Sequence, residues 1–339
     1  LAVPPTPPAV PPPRVSSFRS GHSRGPRVVA LGGGHGLSAS LRALRHVSDR
    51  LTAVVTVADD GGSSGRLREE LGVLPPGDLR MALAALTDDS DWGRTWSAVL
   101  QHRFVTDGPL DQHAVGNLLI TALWELLGDT VTGLDWVGRL LGARGRVLPM
   151  ASVPLVVEAD VRCEDGPCTV VGQVNVAKAA GRIEQLRLHP ADPPPCDEAV
   201  AAVREADWVV LGPGSWYSSV LVHLLVPQLS AALHETSARR CVTLNLSPDA
   251  ETSGLTAVDL LDALHRHAPG LRIDVVLADP SAVEDVVAAE AAAARLGAQL
   301  VMRQVALGDG TARHDALRLA AAYRDVFDRV LGDVAPPGA

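Results

Sequence analysis

Arg27-Val28-Val29-Ala30-Leu31-Gly32-Gly33-Gly34-His35-Gly36-Leu37-Ser38 is the stretch on which the fold turns. A short apolar run ends in three glycines, and apolar residues then recur at Leu37, Leu41 and Leu44. The run reads as a buried strand and the recurrence as a helix. Residues 51–58 form a second β-branched run, which completes a strand, glycine turn, helix, strand unit. Glycines let a backbone turn tightly and approach an anion, and a helix N-terminus offers unpaired N–H groups with partial positive charge. The turn is therefore read as a diphosphate cradle, with Gly33, Gly34, His35, Gly36, Leu37 and Ser38 as contacts.

Helical spacing follows at 66–71, 78–86, 92–102, 116–127 and 132–141. Short β-like runs at 153–161, 169–176 and 183–188 suggest a small antiparallel meander. The remainder alternates. Strands are expected at 207–211, 240–246, 272–277 and 300–307, and helices at 197–206, 224–235, 257–267, 281–296 and 314–331. Such alternation predicts an α/β chain with a doubly wound, mainly parallel sheet. The expected division is a disordered tail over 1–26 and one α/β domain over 27–335, with a small β subdomain near 150–190.

Two further strand exits carry the same chemistry. Ala58-Asp59-Asp60-Gly61-Gly62-Ser63-Ser64-Gly65-Arg66 offers Asp59 and Asp60 for a ribose or a hard cation such as Mg2+. Ser63, Ser64 and Gly65 can form a second anion nest, and Arg66 can pair a phosphate; a capped loop would use the same residues structurally. Gly212-Pro213-Gly214-Ser215 leaves another strand with an accessible backbone, but without the Gly-x-Ser-x-Gly pattern of a hydrolase elbow. Asp78 and Arg80 stand at one helix start and Asn117 at another, as ligand contacts or as caps and packing groups. Arg313 opens the last helix and either reaches a diphosphate or pairs locally.

Of 339 residues, 47% are hydrophobic and 20% charged, enough to bury one large core or two modest ones. A net charge of -9 lacks the basic excess of a nucleic-acid-binding surface, so nucleic acid is not an expected partner. Four cysteines are too few for a disulfide framework and point to a reducing compartment. Cys163 and Cys168 flank a turn and are read as buried or edge thiols, because no second close ligand pair completes a zinc site. Lys178 is the chain's only lysine, and no glycine precedes a lysine, which excludes a Walker A loop. The Pro-rich start reads as a partly polyproline II tail without a signal-peptide run. The longest apolar stretch, 220–233, is interrupted by His223, Pro227 and Gln228 and is too short to span a bilayer. The expectation is a soluble, cytoplasmic protein.

Seven segments together carry a resemblance. They are Leu31 to Ser38, Thr56-Val57-Ala58-Asp59-Asp60-Gly61-Gly62-Ser63-Ser64-Gly65-Arg66-Leu67-Arg68, Pro75-Pro76-Gly77-Asp78-Leu79-Arg80, Gly116-Asn117-Leu118-Leu119, Arg144-Gly145-Arg146-Val147-Leu148-Pro149, Leu211 to Ser215, and Arg313-His314-Asp315. The sequence resembles the gluconeogenesis factor family (YvcK-like), a branch of the CofD-like group that includes 2-phospho-L-lactate transferase. The resemblance implies a Rossmann-like fold with a small inserted domain, and binding of a UDP-sugar such as UDP-N-acetylglucosamine in the cytoplasm. It also implies a role in cell shape and cell-wall synthesis during gluconeogenic growth, with no reaction firmly attached. Cell-wall regulatory proteins and a second copy of the chain are the candidate macromolecular partners. The transferase branch uses Mg2+ and a guanosine-nucleotide donor, which would make Asp59 and Asp60 metal ligands. A dinucleotide-binding oxidoreductase is a third reading, but the turn does not follow Gly-x-Gly-x-x-Gly. Two departures stand out: His35 replaces the family's usual threonine, and Trp216-Tyr217-Ser218-Ser219 replaces Leu-Tyr-Thr-Ser.

Overall fold

The computed structural model describes residues 25–163 and 166–332. The expected tail lies almost wholly outside them. The chain opens with β1 (Arg27–Gly32), α1 (Gly34–Leu44) and β2 (Arg50–Val55), and continues through five helices: α2 (Gly62–Leu71), α3 (Pro76–Leu86), α4 (Asp91–Gln101), α5 (Val115–Leu127) and α6 (Thr130–Leu141). β3 (Arg146–Pro149) leads to the insert, made of β4 (Val156–Cys163), β5 (Gly166–Val171), α7 (Gln173–Ala177) and β6 (Arg182–His189). The second half alternates: α8 (Asp197–Glu205), β7 (Trp208–Leu211), α9 (Pro227–Glu235), β8 (Arg239–Thr243), α10 (Ala257–His267), β9 (Val275–Ala278), α11 (Val286–Arg295), β10 (Gln299–Met302) and α12 (Ala316–Gly332).

Seven strands form one sheet in the order β10-β9-β8-β7-β1-β2-β3, and every neighbouring pair is parallel. Val28 to Leu31 and Trp208 to Leu211 are buried throughout, as strands covered by helices on both faces require. The insert is a three-stranded antiparallel sheet, β5-β4-β6. In β4, Val157, Ala159 and Val161 are buried while the residues between them are not, so only one face joins the core. Connections from β1 run to β2 on one side, whereas β7 continues to β8 on the other. The winding therefore reverses between β1 and β7, and the crevice at their carboxyl ends is where open α/β sheets bind ligands.

Several expected elements shift. The run at 169–176 is not one strand: β5 stops at Val171, Gly172 takes a φ of 96°, and residues 173–177 coil into α7. The Val174 amide then donates to the Asp60 carboxylate, which fixes that turn. β3 was not expected, because four residues are too few to show a period. α2 begins at Gly62, so the glycine–serine segment after Asp60 is helix rather than open loop. The strands expected at 272–277 and 300–307 shorten to β9 and β10. Cys163 and Cys168, expected as separate thiols, are joined as a disulfide across the end of the β4–β5 hairpin. Cys196 and Cys241 are buried free thiols. Among the described residues, no single helix is long and apolar enough to cross a membrane.

α12 closes the core over α1 and the sheet. Its Trp208–Phe327 contact is a stack at 4.6 Å. Its Tyr323 hydroxyl lies 2.8 Å from Ser40 Oγ and 3.0 Å from Thr243 Oγ1, all three fully buried or nearly so. Buried hydroxyls that lose a partner keep their desolvation cost. Tyr323→Phe is therefore expected to cost about 1–2 kcal/mol, read as a fall of a few degrees in Tm by calorimetry. An unchanged Tm would show that this junction contributes nothing to stability.

Candidate functional site

Two glycine turns meet at the switch point. The first, 32–36, joins β1 to α1; the second, 212–214, leaves β7. A Cβ on Gly36 would lie 2.3 Å from both Gly214 Cα and the Pro213 carbonyl oxygen, so only glycine permits this approach. A Cβ on Gly33 would strike the Asp78 carboxylate and the Thr56 methyl, both at 2.5 Å. Gly34 has a φ of 55°, as the tight entry to α1 demands. The α1 N-terminus consequently opens toward the crevice, where its first-turn amides have no helical acceptor.

The second turn is clamped from two sides. Asn245, just beyond β8, accepts from the Gly214 amide and donates to the Gly214 carbonyl, both at 2.8 Å. Ser40 on α1 donates to the Gly212 carbonyl at 2.8 Å. Below Ser215, the buried Glu251 carboxylate accepts from the Tyr217 amide at 2.8 Å and from the Ser218 amide at 3.3 Å. Burial, then the nearby Asp249, pushes Glu251 up to about 7.

These turns border a cleft of about 910 Å³. Gly33, Gly34, His35, Gly36, Ser38 and Arg42 form one wall, and Pro213, Gly214 and Ser215 another. Asn245 to Asp249 and Ala312 to Ala316 complete the far side, including Arg313. His314 lines it too, with a buried Nε2 that has no partner. A third wall is α7 and Lys178 from the insert. A cleft of about 1100 Å³ lies at the opposite edge, around the N-terminal ends of β1, β2 and β3. Its Arg27 and Arg146 are paired with Asp207 and Asp135. It holds neither glycine turn nor helix N-terminus from a strand exit, so the smaller cleft is the candidate site.

The expected site residues divide into three groups. Gly33, Gly34, His35, Gly36, Ser38, Pro213, Gly214, Ser215, Asp78 and Arg313 line the cleft together. Leu37 and Gly212 stand behind it, buried, where they shape the turns. Ser63, Ser64, Gly65, Arg66, Arg80 and Asn117 do not line it. Ser63 Oγ is 3.0 Å from His113 Nδ1 and accepts from Asn117 Nδ2 at 3.0 Å, while Arg80 Nε donates to Asn117 Oδ1 at 2.8 Å. Ser64 accepts from the Gly77 amide at 2.9 Å. A Cβ on Gly65 would meet the Asp60 carbonyl oxygen at 2.2 Å. Arg66 is spent on the carbonyls of Pro109 and Asp111. This group is a buried polar brace between α2, α3 and α5. Arg80 is held down to about 10, first by burial and then by Arg103.

Asp59 and Asp60 part company in the turn that follows β2. Asp60 Oδ1 accepts from the Val174 amide at 3.0 Å, which ties β2's exit to the insert. Asp59 turns the other way, toward Gly77 and Asp78. Asp78, enclosed by protein except where it borders the cleft, is pushed up to about 7 by burial and then by the Asp59 charge. The acidic pair at this site is thus Asp59 with Asp78. Among the described residues no group of three or more His, Cys, Asp or Glu side chains is placed to hold a metal.

The chain has clear relatives among known proteins. Residues 28–308 match the family model described as 2-phospho-L-lactate transferase CofD. The putative gluconeogenesis factor of Mycobacterium tuberculosis is 49% identical over 319 residues, covering 91% of this chain and 93% of that one. The gluconeogenesis factor of Bacillus subtilis is 38% identical over 261 residues, covering 77% and 80%. The chain belongs to the CofD family, among the gluconeogenesis factors. A crystal structure of a upf0052 family member from Bacillus halodurans superposes with a TM-score of 0.78 at 36% identity, covering 88% of this chain and 98% of that chain. The residues expected to depart from the family's pattern at these two turns lie differently. His35 is exposed on the cleft wall, whereas Trp216 and Tyr217 are buried, with Trp216 donating to the Leu260 carbonyl. The second departure is core packing behind the turn.

Sequence reasoning did not find Asn245, Ser40, Glu251, Arg42 or Lys178. Asn245 carried one usable signal: it follows a strand of the same sheet edge by two residues. The others act through tertiary neighbours.

The raised Asp78 pKa sets a pH dependence. From about 3.8, its value when unfolded, up to about 7, the unfolded chain is ionised while the folded chain keeps the proton. Stability therefore falls as pH rises through this window and stays lowered above it. Asp78→Asn is expected to melt higher than the wild-type chain at pH 8, with the difference shrinking toward pH 4. A difference that is the same at both pH values would rule out this titration.

Proposed function

We propose that the cleft binds a nucleoside-diphosphate sugar of the UDP-N-acetylglucosamine type. In this reading the chain regulates cell shape and cell-wall synthesis under gluconeogenic growth, from the cytoplasm, where such sugars are made. The observation that carries the reading is the juxtaposition of two glycine turns at the β1/β7 switch point, opening an α-helix N-terminus onto a cleft with Arg42 and Arg313 on its walls. Helix-start amides and arginine forks match phosphate oxygens. The cleft's volume falls in the range of small-ligand sites. The relatives named gluconeogenesis factor support the link to gluconeogenic growth.

A second reading has its own support. Asp59 and Asp78 lie beside the glycine turn, and Mg2+ is commonly bound by one or two carboxylates plus substrate phosphates. A Mg2+-dependent transfer from a nucleoside-diphosphate donor would use that pair, and would draw on the family's transferase branch.

A thermal-shift screen with UDP-N-acetylglucosamine, GDP and NAD, each with and without Mg2+, separates the readings. UDP-N-acetylglucosamine is expected to raise Tm in a concentration-dependent way without Mg2+, since a ligand of the folded state alone stabilises by RT ln(1 + [L]/Kd). A shift confined to GDP with Mg2+, and lost in Asp59→Asn, favours the transferase. No shift with any of the three would leave the glycine turns with a purely structural role.

A further inference from the structure

Lys178 is the only lysine among 339 residues. It caps the C-terminus of α7 in the insert, yet it lines the same cleft as the glycine turn of the main sheet. The β5–α7 turn is held there by the Asp60 carboxylate, which accepts from the Val174 amide. The insert's placement of Lys178 is thus tied directly to the exit of β2.

The charges on the cleft walls are unequal in a way that matters. Two of its carboxylates are already satisfied by the backbone or by hydroxyls. Asp315 accepts from the amides of Leu317 and Arg318 at the start of α12, and Asp249 accepts from the Thr252 hydroxyl. Asp78, the third, accepts from the Gly34 amide at the start of α1. The cations are not satisfied. Among the described residues the side chains of Arg42 and Lys178 make no hydrogen bond or ion pair, and Arg313 reaches Asp309 only at 3.9 Å, with both side chains largely exposed. Cations gathered on facing walls without partners repel one another and attract an anion. A lysine ammonium suits that task, being a compact charge on a flexible stem with three rotatable donors.

We propose that Lys178 is the insert's ligand for the diphosphate, closing over the face of the phosphates that the glycine turn leaves open. The proposal rests on the nucleotide-sugar reading above and adds a residue to it. The main sheet supplies amides and Arg42 from below, and the insert supplies one mobile ammonium from above. Specificity for a diphosphate over a bare nucleoside then depends on the insert as well as on the turn.

The chain's single lysine makes the test direct. Reductive methylation with 13C-formaldehyde labels one ε-amine, separable from the α-amine by its shift, so one NMR signal reports Lys178. UDP-N-acetylglucosamine and uridine are titrated against this labelled chain, and calorimetric affinities are measured for unlabelled wild type, Lys178→Gln and Lys178→Arg. UDP-N-acetylglucosamine is expected to move the signal and uridine to leave it in place. Lys178→Gln is expected to weaken UDP-N-acetylglucosamine about tenfold to a hundredfold, the loss of one charge-assisted hydrogen bond. Lys178→Arg should recover part of that loss. Lys178 is exposed, so the Tm without ligand should not change, which separates lost binding from lost folding. If wild type binds UDP-N-acetylglucosamine but Lys178→Gln binds it equally well and the signal stays still, the Lys178 assignment falls while the nucleotide reading stands. If wild type does not bind it at all, both fall together.

Discussion

The approach of Gly36 to Pro213 and Gly214 is the constraint on which the rest of the structure depends. Two backbones pass within van der Waals contact at the point where the sheet reverses its winding, and any Cβ at Gly36 would lie 2.3 Å from backbone atoms that cannot give way. The contact brings the exits of β1 and β7 to one spot, so that one crevice serves both turns. Asn245 and Ser40 hold the second turn in register against the first, through the Gly214 and Gly212 backbone. Tyr323 then bonds Ser40 and Thr243, so the last helix is joined to the same junction. Much of the molecule's buried polar chemistry near the cleft serves to keep two turns close.

The second organising feature is an uneven distribution of satisfied charge. Around the cleft, carboxylates cap helices or accept backbone amides and hydroxyls, whereas the side chains of Arg42 and Lys178 are left without partners. A folded chain that pairs its acids and leaves its cations open on a concave wall is prepared for an anion. The brace behind it works the opposite way. Arg80, Asn117, Ser63 and His113 form a buried chain in which each named hydrogen bond is internal to the protein. Such networks are rigid when fully satisfied, and this one includes Arg80 of α3, the helix that presents Asp78 to the cleft.

The main features of the fold were legible because each rests on a local rule. A β-branched run ending in glycine, followed by a 3.6-residue period, can be little other than strand, turn and helix. The alternation of such units then requires a parallel sheet. What was not legible had no local signature. β3 is too short to show a period, and residues 173–177 read as strand until Gly172 and Asp60 together bend them into α7. For the site, the glycine turns announced themselves through composition. The residues after Asp60 carried equally suggestive glycines and serines, yet Ser63, Ser64 and Arg66 are consumed within the protein. Hydroxyls and guanidinium groups look the same in a sequence whether they face a ligand or a carbonyl.

From sequence alone came the class of the protein: a parallel α/β sheet, its glycine-lined strand exits and its family. These follow from side-chain period and backbone permissiveness, properties a residue carries with it. Only the tertiary structure decided which polar groups remain available. It paired Asp59 with Asp78 rather than Asp60, because Asp60 is drawn to the Val174 amide of the insert. It brought Asn245, outside the expected site, to the clamp on Gly214, and it carried Lys178 from a remote insert to the wall of the cleft that the glycine turn also lines. Availability depends on which atoms lie within hydrogen-bond reach across the folded chain, and that is a property of no single segment.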